Sequence, residues 1–526
     1  MSLRELGGLV MAIVLVSASL ILALRQRNNV YGRQQLDPNR RALLRVGAVL
    51  GIGLAGLATR LLAITVTNAD QISTKRGVAP DGDVLSNPRL ISRQIRSQRG
   101  RILDRNGEVL ASSEEADAVW ERLYPVSEAA HILGFFSPLR FGTAGVEDSR
   151  DGTLAGGDPL TVTEAIDAGL FLRTMPGHDV RLTIDLELQR LAASLLQDVT
   201  GSAILLDHQT GRILAMASSP AYDPQALVAV READLPGVDA AWAALQAAPN
   251  DPLLLRTTQG LYPPGSTFKV LTAAAAIDSG VVTSESVFTD DGALNVDGYI
   301  IPEFNRPDDS QTEWTVREGI MWSLNVVFAQ IGLALGGVTL AEYASRFGIG
   351  RSTPFELPTA AGQLAGSADA LASEPALAAT AFGQGELLVT PLQMAGVMAA
   401  IANGGVIQRP ILVDAVLGSD GQIIAATERA RFSLPVSAET AATMLDLLYD
   451  SVTYGYASGA QILGLKVAGK TGTAESGKEA PHGWFIGSAG VDEPTVTVAV
   501  CLDYGGEGGG LPLQIGRQML DAAVTR

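Results

Sequence analysis

The chain has 526 residues, too many for one ordinary domain, and its 47% apolar and 18% charged composition is that of a globular protein with membrane content, not of a disordered one. A formal charge of −18 leaves no basic surface overall and argues against a nucleic-acid partner. Cys501 is the one cysteine and lies in an apolar run, the four histidines (His131, His178, His208, His482) lack metal-ligand spacing, and so no disulfide framework, metal or cofactor is expected.

Leu6–Leu24 is an uncharged apolar run close to the roughly 20 residues of a spanning helix. Val46–Val66 is a second, interrupted only by Arg60 near one end, where its stem can snorkel. Between them lie Arg25, Arg27, Arg33, Arg40, Arg41 and Arg45, with Asp37 the only acid. Positive loops stay cytoplasmic. The sequence therefore predicts a first transmembrane segment in 1–24, an Arg-rich cytoplasmic loop over 25–45, a second transmembrane segment in 46–67, and an extracytoplasmic remainder. A cleaved signal sequence is the alternative for the first run, which lacks a basic n-region and a small-residue cleavage site.

A polar linker follows, and then SQRGRILDRNGEVLAS (Ser97–Ser112), which reads as two short strands around the turn dipeptide Asn106-Gly107. Glycine-rich segments such as Gly134–Glu147 continue an irregular β-containing module over 68–185, without a concentration of catalytic residue types. From Leu182 the pattern sharpens. Asp185 can cap a helix over Leu186–Asp198, and Ser202–Asp207 and Arg212–Ala217 read as a hairpin. An Ala/Leu-rich helical middle follows. Leu463–Thr473, Gly483–Val491 and Thr495–Leu502 read as strands, and Leu513–Val524 as a closing helix. The expected fold over 186–526 is α+β, an antiparallel sheet covered by helices.

Three short elements carry chemistry. In Pro263–Ile277 the Pro-Pro-Gly stretch blocks helix upstream, so Ser266 sits at a helix start with Lys269 on the same face. A hydroxyl needs a base beside it, and a desolvated lysine can be that base. In Trp322–Val327, Ser323 offers a proton-relaying hydroxyl and Asn325 an amide that can hold a peptide group. In Val467–Glu475, Lys470, Thr471 and Thr473 suit a substrate carboxylate, and Gly472 admits a ligand or another backbone close to the strand. A phosphate loop is the rival reading of Gly469-Lys470-Thr471. It needs Gly four residues before the Gly-Lys pair, where Leu465 stands, and a helix afterwards, where strand signals follow instead.

Each element alone is weak, but the ordered set Ser-x-x-Lys, Ser-x-Asn and Lys-Thr-Gly, at gaps of 57 and 147 residues, is the set found in penicillin-recognising enzymes. The chain resembles the class B penicillin-binding proteins over most of its length after residue 45. Ser97–Ser112 is similar to their pedestal signature, while LTIDLELQ (Leu182–Gln189), AFGQGELLVTPLQMA (Ala381–Ala395) and HGWFIG (His482–Gly487) are similar to their transpeptidase domain. The resemblance implies a pedestal (dimerisation-type) domain over 68–185 and a penicillin-binding transpeptidase domain over 186–526. It implies a peptidoglycan D,D-transpeptidase of cell elongation or division, anchored in the cytoplasmic membrane and acylated by β-lactam antibiotics. Ser266 attacks the penultimate D-Ala of a stem peptide, Lys269 takes its proton, and Ser323 relays a proton to the leaving D-Ala. Asn325 holds the donor, Lys470, Thr471 and Thr473 orient the carboxylate and proton network, and the N–H groups of Ser266 and Thr473 form the oxyanion hole. A membrane-embedded glycan polymerase is the implied partner. The family has one membrane anchor, so the first apolar run is a departure. A glycosyltransferase domain does not fit in the roughly 120 residues between the second apolar run and Leu186. A D,D-carboxypeptidase and a non-enzymatic β-lactam-sensing receptor remain the alternatives.

Overall fold

The computed structural model describes residues 94–156, 177–367, 370–477 and 480–525, with isolated positions before residue 94. Two units divide the chain, Met1–Ser92 and Arg93–Arg526. Of the first, the described part includes the small antiparallel pair Gly77–Val78 and Val84–Leu85. The expected transmembrane segments and the Arg-rich loop lie, isolated positions apart, outside the described residues. Among the described residues no single helix is long and apolar enough to cross a membrane.

The second unit opens with the module expected as the pedestal. Strands β1 (Ile102–Leu103) and β2 (Val109–Ala116) are joined by the expected turn. Asp104 Oδ1 accepts from the backbone N–H of Asn106 and Glu108 at 2.7 and 2.8 Å, and Gly107 takes the left-handed conformation the turn demands (φ +94°). Strand β3 (Val119–Leu123) pairs with β2, and β4 (Asp179–Leu182) runs parallel to β1. Behind the sheet, Glu147 is fully buried between two guanidiniums, Arg122 at 2.5 Å and Arg99 at 2.8 Å.

Helix α1 (Leu186–Leu196) begins where Asp185 accepts from the N–H of Glu187 and Leu188. Strands β5 (Gly201–Asp207) and β6 (Arg212–Ser219) form the expected hairpin. The helical layer follows with α2 (Lys269–Asp278), α3 (Val316–Trp322), α4 (Asn325–Leu335) and α5 (Pro391–Ala402). The chain then returns to the pedestal. Strand β7 (Val413–Leu417) pairs with β4, and β8 (Ile423–Ala426) pairs with β7, giving the sheet order β8-β7-β4-β1-β2-β3. Residues within the span 186–526 thus complete the pedestal sheet. Helix α6 (Ala438–Thr453), strands β9 (Lys466–Ala474), β10 (His482–Gly490) and β11 (Val496–Leu502), and helix α7 (Leu511–Val524) end the chain.

The five-stranded sheet runs β6-β5-β11-β10-β9 and is antiparallel throughout. Every residue of β10 and β11 is buried because helices cover both faces. Leu205, Phe485 and Val498 pack against α1 and α7, while their neighbours Ile204, Ile486 and Ala499 face the helical layer. Each such aliphatic or aromatic side chain contributes about 1.5–3 kcal/mol of burial. Helix α2 is buried from Lys269 to Ala276, on all sides rather than along one stripe. Its run of alanines allows the surrounding helices to close around it. Strand β9 is an edge of the sheet, so the Lys-Thr-Gly segment borders open space.

Candidate active site

The sequence at Pro263-Pro264-Gly265 does not enter α-helix directly. Gly265 takes a left-handed conformation (φ +54°), and Gly265–Phe268 forms a 3₁₀ turn before α2 begins at Lys269. Ser266 therefore lies in that turn rather than in the first turn of an α-helix. Three contacts hold the turn. The indole N–H of buried Trp484, on β10, donates to Pro263 O at 2.9 Å. Gly265 N donates to Gly383 O at 2.9 Å, and a Cβ on Gly383 would lie 1.8 Å from Gly265 O. On the other side, a Cβ on Gly472 would meet Pro264 O at 2.8 Å and Thr267 N at 3.0 Å. The close approach expected at Gly472 is thus made by the chain's own Gly265–Phe268 turn.

One turn on, Lys269 enters the core with no exposed surface. Its Nζ donates to Ser323 O and to Asn325 Oδ1, both at 2.7 Å, and lies 3.5 Å from Ser323 Oγ. Lys470, on β9 and equally buried, donates from Nζ to Ser323 Oγ at 2.8 Å and to Thr471 O at 3.1 Å. Ser323 reaches this position because it ends α3 in the left-handed conformation (φ +61°), which turns the chain sharply into α4. Burial lowers the Lys269 amine from its ordinary 10.5 to about 7, with Glu303 pulling it upward. Burial, and then the nearby charge of Lys269, push Lys470 well below its ordinary value. Thr473 Oγ1 accepts from Gly508 N at 3.2 Å, which ties β9 to the loop before α7.

A cleft of about 410 Å³ opens over these groups. Ser266, Ser323, Asn325, Thr471, Gly472 and Thr473 line it, and the exposed rings of Tyr299, Phe304 and Tyr456 rim it. All the residues singled out from the sequence meet here, with Lys269 and Lys470 beneath the cleft floor. Two further residues belong to the assembly and have no motif to mark them. Glu303 accepts from Val326 N through Oε2 at 3.0 Å, and Asn305 Nδ2 donates to Ser323 O at 3.2 Å.

The phosphate-loop reading fails on backbone grounds. Gly464 does stand five residues before Gly469, so the spacing of that motif is met after all. Lys470 and Thr471 nonetheless lie within the continuous strand β9, paired with Ile486 and Phe485, and no helix N-terminus follows them. Among the described residues no cluster of histidine, cysteine or acidic side chains could hold a metal ion.

Comparison with known proteins agrees with this geometry. Residues 201–521 match the penicillin-binding protein transpeptidase domain, and residues 99–180 match the penicillin-binding protein A dimerisation domain. The peptidoglycan D,D-transpeptidase PbpA of Mycolicibacterium smegmatis is 32% identical over 490 residues, 88% of this chain and 96% of its own length. The protein of the same name from Mycobacterium tuberculosis is 32% identical over 498 residues, 90% of this chain and 98% of its own length. Among solved structures, penicillin-binding protein A from M. tuberculosis, as a ceftriaxone acyl-enzyme complex, is 32% identical with a TM-score of 0.76, covering 82% of this chain and 99% of that one. Penicillin-binding protein 2 from Pseudomonas aeruginosa is 27% identical with a TM-score of 0.68, covering 82% of this chain and 96% of that one. With the transpeptidase domain matched over most of the chain and relatives aligned nearly end to end, the chain belongs to the penicillin-binding protein transpeptidase family.

Proposed function

We propose that the chain is a peptidoglycan D,D-transpeptidase that works through a Ser266 acyl-enzyme and is inhibited covalently by β-lactams. The observation that carries this reading is the bonding of Lys269. A neutral amine has two N–H groups and one lone pair. Its two shortest bonds, to Ser323 O and Asn325 Oδ1, occupy both N–H groups and leave the lone pair for the proton of Ser266, one turn earlier. Ser266 Oγ attacks the penultimate D-Ala carbonyl and the proton passes to Lys269 Nζ. The oxyanion is held by the N–H groups of Ser266 and Thr473. Collapse expels the terminal D-Ala, whose amine takes a proton through Ser323 Oγ, the hydroxyl within reach of both lysines. Asn325 holds the donor amide, and Lys470, Thr471 and Thr473 orient the terminal carboxylate. Gly472 keeps the strand against the nucleophile turn. The free edge of β9 offers backbone groups to an extended stem peptide. An amine of a neighbouring stem then attacks the ester and regenerates Ser266.

Purified protein given lipid-linked glycan and a glycan polymerase should yield cross-linked stem dimers, and Ser266→Ala should yield none. Trimmed monomers would make it a carboxypeptidase instead, and acylation without either product a receptor.

The placement that goes with this chemistry is the cytoplasmic membrane, with the catalytic part outside and a membrane-embedded glycan polymerase as partner. The six arginines between the two apolar runs support it. Topology reporters fused at Gln35 and at Ile72 should report opposite sides, and the same side for both would remove the second span.

A further inference from the structure

A buried carboxylate that the proposed chemistry does not use borders the set of residues that carry it. Glu303 is 8% exposed and follows the hairpin formed by Ala293–Val296 and Tyr299–Pro302, whose second strand walls the cleft. Its Oε1 accepts from the N–H of Phe304 and Asn305, both at 3.1 Å, and its Oε2 accepts from Val326 N at 3.0 Å. Helix α4 needs that last bond. Its N-cap residue is Leu324, whose side chain cannot accept, so the first-turn N–H groups have no local partner. A carboxylate from another segment supplies the cap and also faces the positive end of the helix. The residue fixed by this cap is Asn325, the first of α4, and its amide oxygen receives the Lys269 bond. Two residues beyond Glu303, Asn305 Nδ2 donates to Ser323 O, the carbonyl that Lys269 also uses.

We infer that Glu303 and Asn305 form a latch of positioning residues, which docks the cleft-wall hairpin onto Ser323-Leu324-Asn325 and sets both the geometry and the charge state of the general base. This inference rests on the transpeptidase reading. The latch acts through Ser323 and Asn325 on Lys269 and touches no reacting atom.

The electrostatic part follows from what surrounds Lys269. Burial favours its neutral form and Glu303 its protonated one, while Lys470, equally buried, is itself driven toward neutrality. Of the helices packed on α2, α6 carries Glu439 and Asp446, both exposed to solvent, and half-buried Tyr449. Helices α4 and α5 have no ionisable side chain. On α3, Arg317 pairs with Asp450 of α6, and Glu318 is bound by Thr315. On Gly337–Arg346, Tyr343 bonds Asp278 at the far end of α2, and Arg346 pairs with Glu342. Removing the Glu303 charge therefore makes Lys269 lose its proton at lower pH.

The test uses the full-length chain in detergent with benzylpenicillin, its second-order acylation rate followed by mass spectrometry from about pH 5 to about pH 9. The latch requires that Glu303→Gln move the acid limb of the profile to lower pH than wild type and lower the plateau about tenfold. Asn305→Ala should lower the plateau by about the same factor and leave the limb in place. An acid limb for Glu303→Gln that superimposes on wild type overturns the inference, whatever the plateau, because a purely structural cap would lower the rate without moving the limb. Should Glu303→Gln fail to fold by thermal melting, Asn305→Ala decides, and acylation at the wild-type rate overturns the latch. A wild-type chain that benzylpenicillin does not acylate removes the transpeptidase reading itself. A normally acylated wild type with unchanged variants removes the latch alone.

Discussion

Lys470 Nζ donates to Ser323 Oγ over 2.8 Å, and the same hydroxyl lies 3.5 Å from Lys269 Nζ. Two fully buried amines thus converge on one oxygen. Two ammonium ions this close in a desolvated site repel strongly, so at least one is neutral in the working enzyme. Lys269, one turn after Ser266, is suited to be the neutral one, while Lys470 on β9 borders the carboxylate subsite. A hydroxyl between an acid and a base can pass a proton either way, as acylation and its resolution by an amine both demand.

The first consequence is a pH profile. Burial holds Lys269 at about 7, and only its neutral form can take the Ser266 proton. The acylation rate should rise ~tenfold per pH unit well below 7 and level off above it. Stability should move in the same direction. The unfolded chain holds this proton up to the ordinary 10.5 and the folded chain only to about 7, so the unfolded state binds more protons between these values and stability increases with pH across that window. Stopped-flow acylation and thermal melts over the same buffers read both. A rate independent of pH through neutrality would remove Lys269 as the base.

Lys269→Arg should be about as inactive in acylation as Lys269→Ala. Five of the 38 basic residues are lysine, so this chain uses arginine almost wherever a cation suffices. Guanidinium, with a pKa above about 12, does not lose its proton. A positioned general base is worth about 10²–10⁴ in rate. If Lys269 serves only as a cation holding Ser323 and Asn325, arginine should restore much of the rate. An Arg variant within about tenfold of wild type discards the base role.

The groups proposed as catalytic were legible because each is tied to a local pattern. Pro263-Pro264-Gly265 announces a break before Ser266, Lys470 and Gly472 stand in a strand-like run, and the order of the three elements excludes coincidence. The sheet was legible for the same reason, since β5, β6, β10 and β11 are apolar runs bounded by turns. Glu303 and Asn305 were not, because a residue that caps a helix some twenty positions downstream leaves no signature in its own neighbours. The return of β7 and β8 to the pedestal depends on pairing across more than 200 residues, Val413 with Leu182, which no periodicity encodes. The 3₁₀ turn at Ser266 reflects contacts from Gly383, Trp484 and Gly472, all distant in sequence.

Gly472→Ala tests that last arrangement. The added methyl would lie 2.8 Å from Pro264 O and 3.0 Å from Thr267 N, both backbone atoms that cannot swing aside. Either β9 or the nucleophile turn must shift. A misplacement of about 1 Å at a reacting atom costs on the order of 10² in rate, whereas relieving the clash at the sheet edge costs about 1–3 kcal/mol. Penicillin acylation should therefore fall about 10²-fold while the protein still melts cooperatively. Acylation within a fewfold of wild type would show that Gly472 is not needed for the approach.

The pedestal gives the opposite dissociation, loss of stability with chemistry intact. Glu147 is fully buried and bonded by Arg122 at 2.5 Å and Arg99 at 2.8 Å. Arg99 keeps a second partner in Asp151 at 2.6 Å, but Arg122 has no other carboxylate within bonding distance among the described residues. Glu147→Gln leaves a desolvated guanidinium without its counter-charge, a loss of about 3–5 kcal/mol. Replacing Glu147 and Arg122 together with apolar side chains of similar volume should recover much of it, because the pair's own desolvation cost disappears with it. Burial raises the Glu147 carboxyl, but the two guanidiniums outweigh that and hold it below its ordinary 4.5. A depressed carboxyl stabilises the fold above its unfolded value and ceases to do so as pH falls through the folded one. Wild type should thus lose stability on acidification below about pH 4.5, more steeply than Glu147→Gln, which has no such group to protonate. Thermal melts at neutral and acid pH measure both effects, and benzylpenicillin acylation of the folded fraction should match wild type. A Glu147→Gln chain that melts with wild type at neutral pH would mean that Asp151 and the carbonyl of Gly100 suffice for both arginines.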